Sequence, residues 1–262
     1  MTQASNPPLL ALRGVVKSFG AVRALTGVDL EIRAGEVVAV MGDSGAGKST
    51  LVKVIAGVEP ADEGSFRWKG HAVDLTRPQH SQNLGISAVY QDLSLCDNLD
   101  VVGNLFLGGE LRRGGFLDEM EMGRRTRSLL DSLSIRIPDT RVPVASLSSD
   151  QRQIVAIARA LLREPELILL DEPTQAMSTQ QTNKFLDMVE SLRDRGLGIL
   201  FISHTMGDIK AVADRVAVLR LGRSNGVFNV HTASQELIVS AITGATDHAV
   251  AHRGTERKDD GT

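Results

Sequence analysis

Short runs of consecutive apolar residues, rich in β-branched side chains, recur along the chain between turn-forming residues. They cover residues 36–41, 166–170, 197–203 and 215–219. Continuous apolar runs, unlike alternating ones, are typical of strands in a parallel sheet that helices cover on both faces. The pattern therefore predicts an α/β fold around a buried parallel sheet with helices on both faces.

Helical spacing occupies the stretches between these runs. Residues 49–56 are followed by Gly57 as a stop signal, and residues 151–163 place their apolar side chains on one stripe. Residues 9–32 instead alternate apolar and polar positions between glycines, which predicts antiparallel strands beside the main sheet. Residues 110–136 lack strand character, and their arginines predict the solvated faces of helices.

The size and composition of the chain are those of a folded protein of 262 residues. The pattern predicts one domain over residues 1–246 and a polar, disordered tail over residues 247–262. Hydrophobic residues make up 42% and charged residues 23%, as in ordinary globular proteins. A net charge of −3, with seven Phe, one Tyr and one Trp, argues against nucleic acid as a partner.

Three further features bear on location. The one cysteine, Cys96, cannot form an internal disulfide, which favours the reducing cytosol. Residues 1–13 lack the basic start and apolar core of a secretory signal. No apolar run approaches the ~18 residues that cross a bilayer. The sequence predicts a cytoplasmic protein that contacts a membrane only through a partner.

A glycine-rich segment at residues 42–50, Gly-Asp-Ser-Gly-Ala-Gly-Lys-Ser-Thr, lies between a predicted strand and a predicted helix. This is the context that the phosphate-binding pattern G-x-x-x-x-G-K-[ST] requires. Backbone N–H groups of such a loop surround phosphate oxygens, its lysine reaches the β- and γ-phosphates, and its serine can ligate Mg²⁺. The predicted nucleotide-binding residues are Gly42, Ser44, Gly45, Ala46, Gly47, Lys48, Ser49 and Thr50.

Two carboxylates, Asp171 and Glu172, end the strand that begins at residue 167, and His204 ends the next predicted strand. Because the carboxyl ends of parallel strands face a ligand crevice, we expect these side chains beside the phosphate loop. Asp171 suits Mg²⁺ binding, Glu172 is placed to polarise the attacking water, and His204 is placed to contact the γ-phosphate.

The order of these motifs resembles that of the ATP-binding cassette (ABC) ATPases, over residues from about 10 to about 244. The phosphate loop, Gln91, the segment 147–151, the two carboxylates and the histidine are similar to the family's Walker A, Q-loop, signature, Walker B and H-loop. The resemblance implies a P-loop ATPase core, an N-terminal antiparallel β-subdomain and an inserted helical subdomain at about residues 92–163.

The resemblance also implies roles that the residues alone do not. Phe19 is expected to stack on adenine, and Gln91 to contact Mg²⁺ and report the γ-phosphate to the helical subdomain. Ser148 and Gln151 are expected to face the nucleotide held by a second cassette. The implied catalytic residues are Lys48, Gln91, Glu172 and His204, and the implied Mg²⁺ ligands are Ser49, Gln91 and Asp171.

Within that family, residues 89–108, 202–215, 219–223 and 241–245 are most similar to ATPase subunits of bacterial importers for simple sugars such as ribose, xylose or fructose. The resemblance implies that hydrolysis of Mg-ATP drives sugar uptake through transmembrane permease subunits, with a sugar-binding protein as an indirect partner. Many such proteins carry two fused cassettes. This chain holds one, which implies a homo- or heterodimer, peripheral on the inner face of the membrane.

The signature segment departs from the family's usual Leu-Ser-Gly-Gly-Gln, because Ser149 and Asp150 stand where two glycines are expected. Ser148 and Gln151 keep a capping box, so the helix is expected to start normally. A carboxylate ~4 Å from a phosphate charge is repelled by about 4 kcal/mol at an effective dielectric of ~20. We therefore expect normal folding and ATP binding, with weakened dimer closure and slowed hydrolysis.

The next departure is in the D-loop, where residues 175–178 are Gln-Ala-Met-Ser and many cassettes have Ser-Ala-Leu-Asp. Met177 is expected to pack where leucine usually does.

Three other functions remain open at this point. A degenerate cassette that binds ATP for assembly or regulation is favoured by Ser149 and Asp150 and opposed by Glu172 and His204. A soluble cassette acting on DNA or the ribosome usually carries long coiled coils or two cassettes, and this chain has neither pattern. A P-loop kinase of small molecules would leave the signature helix and His204 without a role.

Overall fold

The fold is taken from a computed structural model that describes residues 7–133 and 137–245. The predicted disordered tail at residues 247–262 lies outside the described part of the chain. The strands are β1 (Leu10–Phe19), β2 (Val22–Ile32), β3 (Val37–Met41), β4 (Glu63–Trp68), β5 (His71–Val73), β6 (Ile86–Val89), β7 (Arg112–Arg113), β8 (Phe116–Leu117), β9 (Leu167–Asp171), β10 (Gly198–Ile202), β11 (Arg215–Arg220) and β12 (Arg223–Asn229). The helices are α1 (Lys48–Ile55), α2 (Pro78–Asn83), α3 (Val101–Phe106), α4 (Glu119–Ser132), α5 (Ser149–Leu161), α6 (Thr179–Asp194), α7 (Met206–Val212) and α8 (Gln235–Thr243).

The central sheet has the strand order β12-β11-β3-β10-β9-β6. Its pairs are parallel except for the antiparallel edge pair of β11 and β12. Alternate residues of β3 enter different cores: Val38 and Val40 pack with α1 and the N-terminal strands, and Val37 and Ala39 pack with α6 and α7. Burial on both faces explains the continuous apolar runs.

The N-terminal strands form a second sheet in the order β2-β1-β4-β5, with antiparallel pairs throughout. Antiparallel strands were expected here from the alternating pattern. The backbone N–H of Thr26 in β2 donates to the carbonyl of Gly222, at the turn between β11 and β12, at 2.7 Å. The second sheet therefore lies directly against one edge of the first.

Three helices, α3, α4 and α5, share a hydrophobic cluster of their own. Its buried members are Val101, Val102, Leu105, Phe106, Met122, Leu130, Val144, Val155 and Ala158. These helices fall in the segment for which a helical subdomain is expected.

The expectation that residues 110–136 lack strands is wrong for four residues. β7 and β8 form a short antiparallel hairpin that pairs Arg112 with Leu117 and Arg113 with Phe116. Strands of two residues are too short to show an alternating pattern, so they could not be predicted from the sequence. The following residues form α4, as the arginine-rich pattern predicted.

Taken together, the two sheets and their helices confirm the predicted α/β class with an antiparallel N-terminal sheet. Within the described residues, no helix has both the length and the apolar character of a membrane span.

Candidate nucleotide-binding site

Four strands of the central sheet end at one edge, and the predicted motifs follow them. The parallel register aligns Val40 of β3 with Ile202 of β10, and Ile202 with Asp171 of β9. It also aligns Val89 of β6 with Leu170 of β9. The phosphate loop, the two carboxylates, His204 and Gln91 are therefore at the same edge of the sheet, as the sequence predicted.

The shape of the phosphate loop depends on glycines that lie against other strands. Gly47 is the N-cap of α1, and its φ of 103° is in the left-handed region that favours glycine. A Cβ at Gly47 would approach the carbonyl oxygen of Ala24 in β2 to 2.5 Å. A Cβ at Gly42 would clash with the carbonyl oxygen of Leu219 in β11. Gly45, with φ of 79°, has open space around it.

The other loop residues differ in exposure. Ala46 is buried in the core, whereas Ser44, Gly45 and Ser49 are exposed and Thr50 is half-buried. The exposed residues leave backbone and hydroxyl groups available to a ligand at the N-terminus of α1, where the helix dipole favours negative charge.

Lys48 is buried to 6% exposure, and its ammonium group turns back onto the loop. Nζ donates to the carbonyl oxygens of Gly42 at 2.8 Å and Asp43 at 3.0 Å. Burial lowers the pKa of Lys48, and the nearby Glu172, Asp171 and Asp43 carboxylates oppose that shift. An anion at this loop would add acceptors for Lys48 that are stronger than neutral carbonyls.

Asp171 ends β9 as a buried carboxylate with 3% exposure. Burial raises the pKa of Asp171, while a hydrogen bond from Ser49 and the charge of Lys48 oppose that rise. Its Oδ1 atom is buried and has no hydrogen-bond partner. An unpaired buried oxygen beside a serine hydroxyl is the oxygen donor set that Mg²⁺ prefers, so Asp171 and Ser49 fit a magnesium ion.

Glu172 and His204 form a close pair beside this carboxylate. Oε1 of Glu172 lies 2.5 Å from Nε2 of His204, with side-chain exposures of 14% and 52%. Glu172 has φ of 53°, in a region that non-glycine residues adopt rarely. Its backbone N–H donates to the carbonyl of Ile202 at 3.1 Å, which holds this turn against the neighbouring strand. The predictions named both residues and did not foresee their pairing.

Two supporting contacts of this pair were also missed from the sequence. Oγ1 of Thr174 donates to Oδ2 of the buried Asp208 in α7 at 2.7 Å, which ties the turn after Glu172 to α7. The backbone N–H of Thr205 donates to the buried Ser203 hydroxyl at 3.0 Å, which shapes the turn that carries His204. Polar residues directly after two apolar strands were the signal that could have found them.

Gln91 reaches the same edge from β6. Its Nε2 donates to Oε1 of Gln175 at 2.8 Å, and the backbone N–H of Gln175 donates to the carbonyl of Glu172 at 3.3 Å. Gln91 is thus connected to the turn after Glu172. Its expected contact with Mg²⁺ and phosphate stays a prediction.

Phe19 lies at the end of β1 and is 45% exposed. It pairs with Val22, two residues before the Ala24 that abuts Gly47, so at ~3.3 Å per strand residue it is ~7 Å along β2 from that contact. Nζ of Lys17 lies 5.3 Å from the centre of its ring. The ring is accessible for stacking near the phosphate loop.

Ser148 and Gln151 belong to a different part of the surface, at the N-terminus of α5. They form the predicted capping box, in which the backbone N–H of Ser148 donates to Oε1 of Gln151 at 3.1 Å. The Ser148 side chain accepts in turn from the backbone N–H of Gln151, and its hydroxyl donates to Oδ1 of Asp150. The predicted site residues other than this pair and Phe19, which is in the N-terminal sheet, thus lie at one edge of the central sheet.

The raised pKa of Asp171 predicts a pH dependence. A proton and Mg²⁺ compete for this carboxylate, so Mg-ATP affinity is expected to weaken on acidification at a higher pH than an ordinary aspartate would give. Equilibrium titrations with Mg-ATP from neutral to acidic pH measure this effect. The variant Asp171→Asn is expected to bind Mg-ATP weakly at every pH and to lack this pH-dependent change in affinity. Wild-type affinity that stays constant down to the ordinary aspartate range would contradict the prediction.

The family model for the ABC transporter family matches residues 25–175, more than half of the chain. The chain therefore belongs to the ABC transporter family of ATP-binding cassettes.

Individual relatives agree with this assignment. The chain is 45% identical over 235 residues to a xylose/arabinose import ATP-binding protein of Sulfolobus acidocaldarius, with 90% of this chain and 92% of that protein covered. It is 42% identical over 219 residues to a ribose import ATP-binding protein of Yersinia pestis, covering 84% of this chain and 43% of that protein. The chain thus spans less than half of the second relative.

Among solved structures, the chain is similar to a dimeric ATP-binding cassette in a post-hydrolysis state bound to ADP and Pi. The TM-score is 0.72 at 27% identity, and the match covers 84% of this chain and 98% of that one. These comparisons confirm the predicted fold, the ABC family and the likeness to simple-sugar import ATP-binding proteins.

Proposed function

We propose that this chain is the ATP-hydrolysing subunit of an ABC importer for a simple sugar. The observation that carries the proposal is the Glu172–His204 pair at 2.5 Å, beside the buried Lys48 and Asp171. One edge of the sheet thus holds a cation for phosphates, a carboxylate for a metal, and a carboxylate–imidazole pair for an attacking water. Those are the parts that phosphoryl transfer to water needs.

In the proposed mechanism the phosphate loop binds the triphosphate and Phe19 supports the adenine. Asp171, Ser49 and Gln91 would hold Mg²⁺, which neutralises charge on the β- and γ-phosphates when bound. Lys48 transfers its hydrogen bonds from the loop carbonyls to phosphate oxygens.

Glu172 and His204 act on the water and the phosphoryl group. The Glu172 carboxylate accepts a hydrogen bond from the water and orients it in line with the bond that breaks. Nε2 of His204 contacts that carboxylate in the free site, and its N–H transfers to the γ-phosphate as negative charge develops there.

We infer that a second cassette, either a second copy or a related chain, completes the site. Ser148 and Gln151 at the start of α5 present a helix N-terminus to the nucleotide held by that partner. The similarity to a cassette described as dimeric supports this arrangement.

The sugar is inferred from the relatives, whose names specify import of xylose/arabinose and ribose. We propose that transmembrane permease subunits bind this chain at the inner face of the membrane, and that a sugar-binding protein delivers the substrate to them. ATP-driven closure of two cassettes would then change the conformation of the permease.

Reconstitution of the chain with its permease and sugar-binding protein in vesicles tests this proposal. We expect uptake of labelled xylose, arabinose or ribose that requires internal Mg-ATP, together with ATP turnover stimulated by that sugar. Glu172→Gln is expected to reduce both uptake and turnover by at least about 100-fold. Glu166→Gln, at the opposite end of β9, is expected to change neither. Uptake at the wild-type rate with Glu172→Gln would contradict the proposal. ATP binding without turnover or uptake would favour the degenerate cassette instead.

A further inference from the structure

The altered signature carries a hydrogen-bond chain that links α5 to α6. Nε2 of Gln181 donates to Oδ2 of Asp150 at 2.6 Å. The other carboxylate oxygen, Oδ1, accepts from the hydroxyl of Ser148. The Asp150 carboxylate is therefore held on both oxygens, one by its own helix cap and one by the neighbouring helix.

The amide of Gln181 is itself fixed in orientation. Its Oε1 accepts from the backbone N–H of Ser178 at 2.8 Å and from the Ser178 hydroxyl at 2.7 Å, in the capping box of α6. Because Oε1 is committed to this cap, the two N–H donors of the amide are on the side that faces α5. The capping box of α6 thus directs the Nε2 donor of Gln181 toward Asp150.

Two helix N-termini meet at this carboxylate, since Asp150 is in the first turn of α5 and Gln181 in the first turn of α6. Both helix ends carry partial positive charge and favour a carboxylate between them. The sequence predicted repulsion between Asp150 and the phosphates of a second cassette, and it did not predict this contact with α6.

We propose that Gln181 is a positioning residue for hydrolysis: it holds the Asp150 carboxylate against α6 and so keeps that charge away from the nucleotide of the second cassette. The proposal rests on the proposed function and assigns a role to a residue outside the recognised motifs. Without Gln181, the carboxylate keeps Ser148 as its hydrogen-bond donor and is free to turn toward the phosphates. The Ser148 hydroxyl would stay hydrogen-bonded to Asp150, and the electrostatic repulsion between Asp150 and the phosphates would rise.

The test is a double-mutant comparison of ATP turnover in the reconstituted complex. Gln181→Ala is expected to lower kcat about tenfold, with little change in the affinity of the phosphate loop for Mg-ATP, because the charge acts on closure. Asp150→Gly is expected to raise kcat, since it removes the charge. In the Asp150→Gly background, Gln181→Ala is expected to have no effect on kcat.

Two further variants separate positioning from folding. Gln180→Ala, at the adjacent exposed position of α6, is the matched control and is expected to leave turnover unchanged. Gln181→Glu keeps an acceptor for the Ser178 cap, because glutamate also completes a capping box. It replaces the donor by a second carboxylate, so kcat is expected to fall further and to recover with Asp150→Gly. Melting temperatures of all variants report on folding.

The outcomes are distinct. If Gln181→Ala lowers kcat equally in the wild type and in the Asp150→Gly background, the effect is purely structural. That result would overturn the positioning role. Unchanged kcat in Gln181→Ala would overturn it as well. Absence of turnover in wild type and in Asp150→Gly, with Mg-ATP still bound, would overturn the proposed function together with this role.

Discussion

Replacement of Glu172 by glutamine is expected to slow ATP turnover by about 10²- to 10⁴-fold, the range by which a positioned acid–base group accelerates a reaction. Glutamine has nearly the same shape, but it cannot accept the proton that the attacking water loses. The contact with His204 holds the Glu172 side chain, and the backbone bond to Ile202 holds its turn. Steady-state phosphate release from the reconstituted complex measures the effect.

The matched control is Glu166→Gln, which removes the same charge at the residue before β9, at the far edge of the sheet. Glu166 pairs with Lys69 at 2.6 Å on the surface, and an exposed pair of this kind contributes little to stability. Turnover is expected to match that of the wild type. Similar losses in both variants, or no loss in Glu172→Gln, would remove Glu172 from the mechanism.

Replacement of Lys48 by alanine is expected to weaken Mg-ATP binding by about 2–5 kcal/mol, or at least ~30-fold in Kd. The substitution removes the buried ammonium group that would attract the phosphates, while the nearby Asp171, Glu172 and Asp43 carboxylates remain. Isothermal titration with Mg-ATP measures the loss. The control Lys184→Ala changes a lysine of α6 outside the site and is expected to bind as the wild type does.

The same substitution is not expected to destabilise the fold. Burial lowers the pKa of Lys48, which means that the folded protein without ligand holds this ammonium group at a cost. We therefore expect Lys48→Ala to melt no lower than the wild type in the absence of nucleotide. Weak binding together with a large fall in melting temperature would indicate a collapsed loop, and would contradict a direct role in phosphate binding.

The central sheet and its motifs could be predicted because they are local patterns. The apolar run before Asp171 and the glycine-rich loop before Lys48 are each contiguous in sequence, and the parallel arrangement brings their ends together. The contact between Glu172 and His204 was harder to predict from the sequence. It depends on the lateral packing of two strands and on the left-handed backbone conformation of Glu172.

The contact between Asp150 and Gln181 could not be predicted for a similar reason. The two residues are separated by a helix, a strand and the D-loop, and each also fits an ordinary helix first turn. The sequence therefore indicated that the charge of Asp150 repels phosphates. The contact of Asp150 with Gln181 appears only in the tertiary structure.

We propose that one Mg-ATP is held between the phosphate loop of one cassette and the α5 N-terminus of another. Sedimentation of Glu172→Gln with and without Mg-ATP tests this most directly, because the variant is expected to bind ATP and to hydrolyse it very slowly. If the partner is a second copy of this chain, the protein alone suffices; otherwise the related cassette is added. The mass is expected to double only with Mg-ATP and to revert when Lys48→Ala is introduced. A mass that is the same with and without nucleotide, although Mg-ATP is bound, would contradict it.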